Sequence, residues 1–187
     1  MSNDFIILSE KKLLFVLGTL TFINLVLFII PGLPGSIQTI VKNAPNAKLP
    51  DMRLIYSPQE ISGFLKNIGS DGRKAFQMMH ITIDLTFPLL YGLFFYSMFS
   101  SISSQHKKVL PMFGFLPTVF DLLENFTLIL ITNRYPAELL ILARLTQIST
   151  WLKFTFILLN IILIAYLGMQ MYKQKRSYPK KIRIDHN

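Results

Sequence analysis

The chain has 187 residues, 51% hydrophobic and 16% charged, with 16 Phe and a formal net charge of +9. It is short for two domains and too apolar for an ordinary soluble one, so it reads as a single domain, residues 1–187, in a membrane. The basic excess does not point to nucleic acid, because Lys and Arg flank apolar runs and crowd the chain end, as anionic lipid and the positive-inside rule select. With no cysteine, disulfides, thiolate metal sites and cysteine nucleophiles are excluded.

In chain order, residues 13–30 are uncharged, follow Lys11 and Lys12, and end at Pro31, Gly32, Leu33 and Pro34. The length suits a spanning helix. It exceeds a usual signal-peptide core and no A-x-A pattern follows, so an uncleaved first helix is expected. Residues 31–72 form a long polar connection in which NAPNAKLPD reads as irregular chain. Within it Ser57, Pro58 and Glu60 make a capping box with proline at the first helical position, and Ile61, Phe64, Leu65 and Ile68 recur at helical spacing. A short amphipathic helix over about 58–68 is expected, too short to span and lying on the bundle or in the headgroup layer.

Further spanning segments are expected over about 75–99, 109–132 and 138–171, separated by a basic turn with Lys107 and Lys108 and by the short link Asn133 to Pro136. A link that short makes the last two helices antiparallel neighbours. A basic tail, 172–187, closes the chain. The fold class is therefore all-α, a four-helix transmembrane bundle. Ten Lys and Arg fall on the side of the two ends and the middle turn, and seven on the other, which places both termini in the cytoplasm.

The second spanning segment carries ionisable groups. At 100° per residue Arg73, Gln77, His80, Asp84, Pro88 and Tyr91 share an arc of about 80°. A charge at bilayer depth costs about 2.5 to 3.5 kcal/mol on insertion scales, so Asp84 needs a partner or water inside the protein. The third segment repeats the anomaly, with Gly114, Pro117, Asp121, Glu124, Asn125 and Thr132 on one arc. On the fourth, Thr146, Ser149, Thr150, Lys153 and Asn160 do the same, while Arg144 projects oppositely and snorkels. At 1.5 Å per residue Asp84, Asp121, Glu124 and the outward-leaning Lys153 amine reach one layer, with His80 further out and Arg73 at the rim. The candidate ligand-binding residues are Arg73, Gln77, His80, Asp84, Tyr91, Asp121, Glu124, Asn125, Thr150 and Lys153. Pro88 and Pro117 kink helices whose freed carbonyls need partners.

Chemistry narrows from there. Only one histidine lies in the spanning region and there is no H-E-x-x-H, so neither a metal nor another cofactor is expected. G-x-S-x-G and glycine-rich phosphate loops are missing from the sequence. Acid and base chemistry by His80, Asp84, Asp121, Glu124 and Lys153 is the one catalytic route these residues assemble. A purely structural role for the buried charges is the third reading.

Gly72-Arg73, then D-x-x-F-P-x-x-Y-G at Asp84, Phe87, Pro88, Tyr91 and Gly92, then F-D-x-L-E-N at Phe120, Asp121, Leu123, Glu124 and Asn125, resembles a family of small uncharacterised bacterial four-helix membrane proteins, over roughly residues 56–153. The resemblance implies a bacterial plasma membrane and brings no function. The four-helix plan with a long first outer loop and buried carboxylates is also similar, in architecture alone, to the sterol-isomerase and sigma-2-receptor group, whose cavity takes amphiphilic amines and sterols. The expected partners are thus membrane lipids and a small amphiphilic or ionic ligand, which the protein binds or passes.

Overall fold

A computed structural model describes residues 2–102 and 109–177; the basic turn with Lys107 and Lys108, and the tail from 178 with Lys180, Lys181 and Arg183, lie outside the described residues. The chain forms α1 (Ser2–Leu27), α2 (Ile37–Ile40), a 3-10 turn (Pro50–Met52), α3 (Pro58–Asn67), α4 (Gly69–Ile81), α5 (Ile83–Ile102), α6 (Val109–Arg134) and α7 (Leu140–Ser177), with no strand among the described residues. The run Gly69–Ile102 formed by α4 and α5, α6, and α7 up to Lys173 are long and apolar enough to cross a membrane.

The elements differ from the expected boundaries in ways that local chemistry accounts for. α1 starts at Ser2 and stops at Leu27, not at residue 30. Every 18-residue stretch of it therefore contains Glu10, Lys11 and Lys12, which keeps it from ranking with the three apolar helices. α7 continues past Met171 through Lys173 and Arg176, because lysine and arginine are good helix formers and nothing there stops the helix. NAPNAKLPD is not wholly irregular, since Pro50 opens the 3-10 turn. α3 begins as the capping box requires, the Glu60 carboxylate accepting from Ser57 N–H at 3.3 Å with Pro58 in the first turn. It ends where Gly69 takes φ +70°, the left-handed cap that glycine adopts without steric cost.

The second segment is not one uninterrupted helix. It breaks at Thr82, which has φ −119° and ψ −89°, six residues before Pro88. The Thr82 N–H reaches both Met78 O and Met79 O, at 3.1 and 3.2 Å, and its hydroxyl donates to Met78 O at 2.6 Å. Pro88 lacks the N–H that would have bonded Asp84 O, and Asn125 Nδ2 donates to that carbonyl instead, at 2.7 Å. Thr118 donates to Pro88 O at 2.7 Å. These bonds lock α5 to α6.

α6 lies at the centre, packed against α5 on one side and α7 on the other, and α1 lies along α5. Glycine makes the α5–α6 approach possible. A Cβ on Gly92 would stand 2.0 Å from Thr118 Oγ1, and one on Gly114 would stand 2.8 Å from the Phe99 ring. The apolar core is not midway along these helices. It gathers at one end, where Phe28, Ile40, Leu49, Tyr56, Ile61, Phe64 and Leu65 of the long connection and α3 close over Phe76 and Met79 of α4 and Leu128 and Ile131 of α6. The polar residues lie beneath this dome.

Candidate functional site

Four elements feed one buried polar layer. His80 comes from the last turn of α4, Asp84 and Tyr91 from α5, Asp121, Glu124 and Asn125 from α6, and Thr150 and Lys153 from α7; all are buried. The long connection adds Asp51, which is 6% exposed. Its place is set by the chain that follows it. Trp151 Nε1 of α7 donates to Leu54 O at 2.5 Å, Gln147 donates to Tyr56 O, and the Tyr56 hydroxyl bonds Thr150 at 2.9 Å. Burial pushes the Asp51 carboxyl above its ordinary range; His80 opposes the shift, Asp84 adds to it, and Lys153 opposes it. Burial also pushes the Tyr56 phenol upward, which keeps it a neutral donor and acceptor.

The layer divides into two halves of different character. In one, Lys153 bonds Asp121 Oδ1 at 3.2 Å and makes an ion pair with Glu124 Oε2. The Tyr91 hydroxyl donates to Asp121 Oδ2 at 2.8 Å, and Thr150 donates to Glu124 Oε1. Each of these four carboxylate oxygens thus has a hydrogen bond or an ion-pair partner. In the other half, His80 Nδ1 lies 2.8 Å from Asp84 Oδ2 and 3.1 Å from Asn125 Oδ1. The Asn125 amide is oriented by its Nδ2 bond to Asp84 O, so Nδ1 faces two acceptors and carries the ring proton. Here the accounting does not close, because Asp51 Oδ1 and His80 Nε2 are both buried without a hydrogen-bond partner.

Two residues on the polar arc of the second segment lie elsewhere. Arg73 donates to Leu65 O at 2.9 Å, at the C-terminal end of α3, and stacks on Tyr135 with 4.4 Å to the ring centroid. Gln77 bonds Asn133 at 2.6 Å on an exposed surface. The other eight candidates occupy the layer. Asn24 of α1 also belongs to the buried polar set, donating to Thr86 at 2.6 Å.

Beside the layer is a cavity of about 670 Å³. Asp51, Asp84, Asp121 and Lys153 stand at its polar end. Its walls are apolar, with Phe22, Leu25 and Val26 of α1 on one side and Phe154 and Ile157 of α7 on the other. Among the described residues α1 packs on α5 and has no comparable interface with α7, and the cavity lies in the cleft between α1 and α7. The volume is that of a site for a small organic molecule, and apolar walls with a few convergent polar groups are the usual makeup of such sites.

No protein-family model, curated protein or solved structure matches the chain. The fold and the layer define a helical protein with membrane-spanning character and a buried, carboxylate-rich polar centre.

Proposed function

We propose that this is a four-helix integral membrane protein with both termini on the cytoplasmic side, whose cavity binds a small amphiphilic ligand entering from the bilayer between α1 and α7. The observation that carries the reading is the cavity's makeup: apolar walls from α1 and α7 leading to Asp51, Asp84, Asp121 and Lys153. Four carboxylates in the layer face one lysine. The excess favours a ligand whose head brings positive charge, with an alkyl or ring body against Leu25 and Ile157. The D-x-x-F-P-x-x-Y-G resemblance supports a bacterial plasma membrane. Of the carboxylates at the cavity, Asp51 and Asp84 are the two that Lys153 does not pair with directly. An acid/base enzyme acting on a lipidic substrate is the second reading, favoured by the unpartnered His80 Nε2 beside an Asp84-anchored Nδ1.

Photoaffinity labelling in nanodiscs tests the binding reading. A diazirine-bearing dodecylamine is expected to label peptides containing residues 22–29 and 154–157 saturably, with displacement by excess dodecylamine. The matching diazirine carboxylate should label them at least tenfold less, and Leu25→Trp, which fills the cavity, should abolish the saturable part. Non-saturable labelling, or equal labelling by the carboxylate, would overturn the proposal.

A further inference from the structure

We propose that Asp51, His80, Asp84 and Asn125 form a binding site for one first-row divalent cation. The ion and a cationic head compete for Asp51 and Asp84, so this goes beyond the ligand reading and does not rest on it. One donor atom from each of Asp51, His80 and Asp84 lies within 4.8 Å of the others, and all three side chains are buried. Donors bound to a divalent ion at about 2.1 Å stand about 3.0 to 3.4 Å apart. Nδ1 of His80 already stands 2.8 Å from Asp84 Oδ2 and 3.1 Å from Asn125 Oδ1, so an oxygen from α5 and one from α6 each lie near that spacing from the imidazole nitrogen.

A second observation is independent of the spacing. Asp51 is 6% exposed and its Oδ1 has no hydrogen-bond partner, although the chain around it is fixed to α7. An unpaired buried carboxylate oxygen is costly, and a cation drawn between Asp51 and Asp84 removes that cost. Charge points the same way. Asp51 and Asp84 are the two carboxylates of the layer that Lys153, held by Asp121 and Glu124, does not pair with directly, and a divalent ion supplies the charge they lack. The sequence could not supply this set, because its fourth member lies in the long connection some thirty residues before His80.

The donor set selects the ion. One imidazole nitrogen with carboxylate and amide oxygens suits Mn²⁺, Fe²⁺ or Zn²⁺; an imidazole is a poor ligand for Ca²⁺ or Mg²⁺, and no thiolate is present to favour softer metals. Ion binding at Nδ1 moves the ring proton to Nε2, so neutral His80 changes tautomer without losing a proton. Asn125 is a ligand oriented by its own bond to Asp84 O, the carbonyl that Pro88 leaves free.

The test uses the full-length protein, purified by a tag that needs no metal, stripped with chelator and titrated separately with Mn²⁺, Zn²⁺ and Mg²⁺ in detergent. Expected are one saturable Mn²⁺ or Zn²⁺ per chain, a higher Tm with either ion, and at least tenfold weaker binding of Mg²⁺. Electron spin echo of the Mn²⁺ complex should show a ¹⁴N coupling from one imidazole, a reading that needs no variant. Asp51→Asn and Asn125→Ala should each weaken Mn²⁺ at least tenfold, while Arg73→Gln, outside the layer, should leave it within twofold. If Asp51→Asn does not fold, the nitrogen coupling and Asn125→Ala decide. No saturable binding in the wild type, a complex lacking the nitrogen coupling, or unchanged affinity in a folded Asp51 or Asn125 variant would overturn the site. None of these readouts involves an amphiphile, so failure here is distinct from failure of the labelling experiment.

Discussion

Lys153 is the residue whose chemistry is most constrained, since a cation at this depth persists only with partners. The structure gives it Asp121 and Glu124 and gives Asp84 to His80 and Asn125. Removing one member of a buried pair costs about 3 to 5 kcal/mol, because a charge is left without compensation. Lys153→Met is therefore expected to destabilise by about that amount, measured by denaturant unfolding in detergent. Adding Glu124→Gln should recover part of the loss, with a coupling of about 0.5 to 3 kcal/mol, whereas Asp84→Asn should add to it in full. Strict additivity with both Asp121→Asn and Glu124→Gln would contradict the pairing. Much of this layer is legible in the sequence, because a spanning helix has so few polar residues that the phase of each one shows where it points. Phase alone does not fix depth, which is why Arg73 and Gln77 share the arc yet bond Leu65 and Asn133 at the helix end. Asp51 was not legible: a connection without periodicity gives no direction, and its burial depends on bonds from Trp151 and Gln147, about a hundred residues later in the chain.

At the scale of elements, the α5–α6 contact relies on two glycines whose absent side chains let backbone and ring approach. Overpacking such a contact costs about 1 to 3 kcal/mol. Gly92→Ala and Gly114→Ala are expected to lower stability by that much or more, since the added methyl meets Thr118 or Phe99 below contact distance. Gly168→Ala on α7 meets nothing within 4 Å and should be neutral or slightly stabilising, as alanine is the better helix former. Thermal melts of the three variants in one detergent check this, and equal losses at Gly92 and Gly168 would contradict the close packing. The helices themselves were readable from hydrophobic runs, and α3 from its capping box and Gly69. Their ends were less so. α1 and α7 continue into charged sequence that is itself helix-forming, and the break at Thr82 has neither proline nor glycine at the interrupted residue to mark it in the sequence.

For the whole molecule, the length and surroundings of α1 favour its crossing the bilayer. Its uncharged part, residues 13–27, rises about 22 Å at 1.5 Å per residue, short of a hydrocarbon core of about 30 Å. The apolar residues 28–30 extend it at one end, and at the other Lys11 and Lys12 can snorkel from within the interface. Phe15 and Phe22 are exposed, as side chains in contact with lipid are, and Asn24 turns inward to Thr86 of α5, which fixes α1 alongside a spanning helix. The chain has no native cysteine, so single cysteines at Ser2, Asn46 and Ser177 report each segment without background. If the 69–102 run, α6 and α7 each cross, Asn46 and Ser177 lie on opposite faces whatever α1 does, which makes Ser2 the deciding position. If α1 crosses and both termini are cytoplasmic as proposed, an impermeant thiol reagent applied to intact cells should label the Asn46 variant alone, and Ser2 and Ser177 only after permeabilisation. Joint labelling of Ser2 and Asn46 would leave α1 on the outer surface. The wall of the cavity facing α7 would then be an interfacial helix, and a ligand would enter from the headgroup layer instead of between two spanning helices.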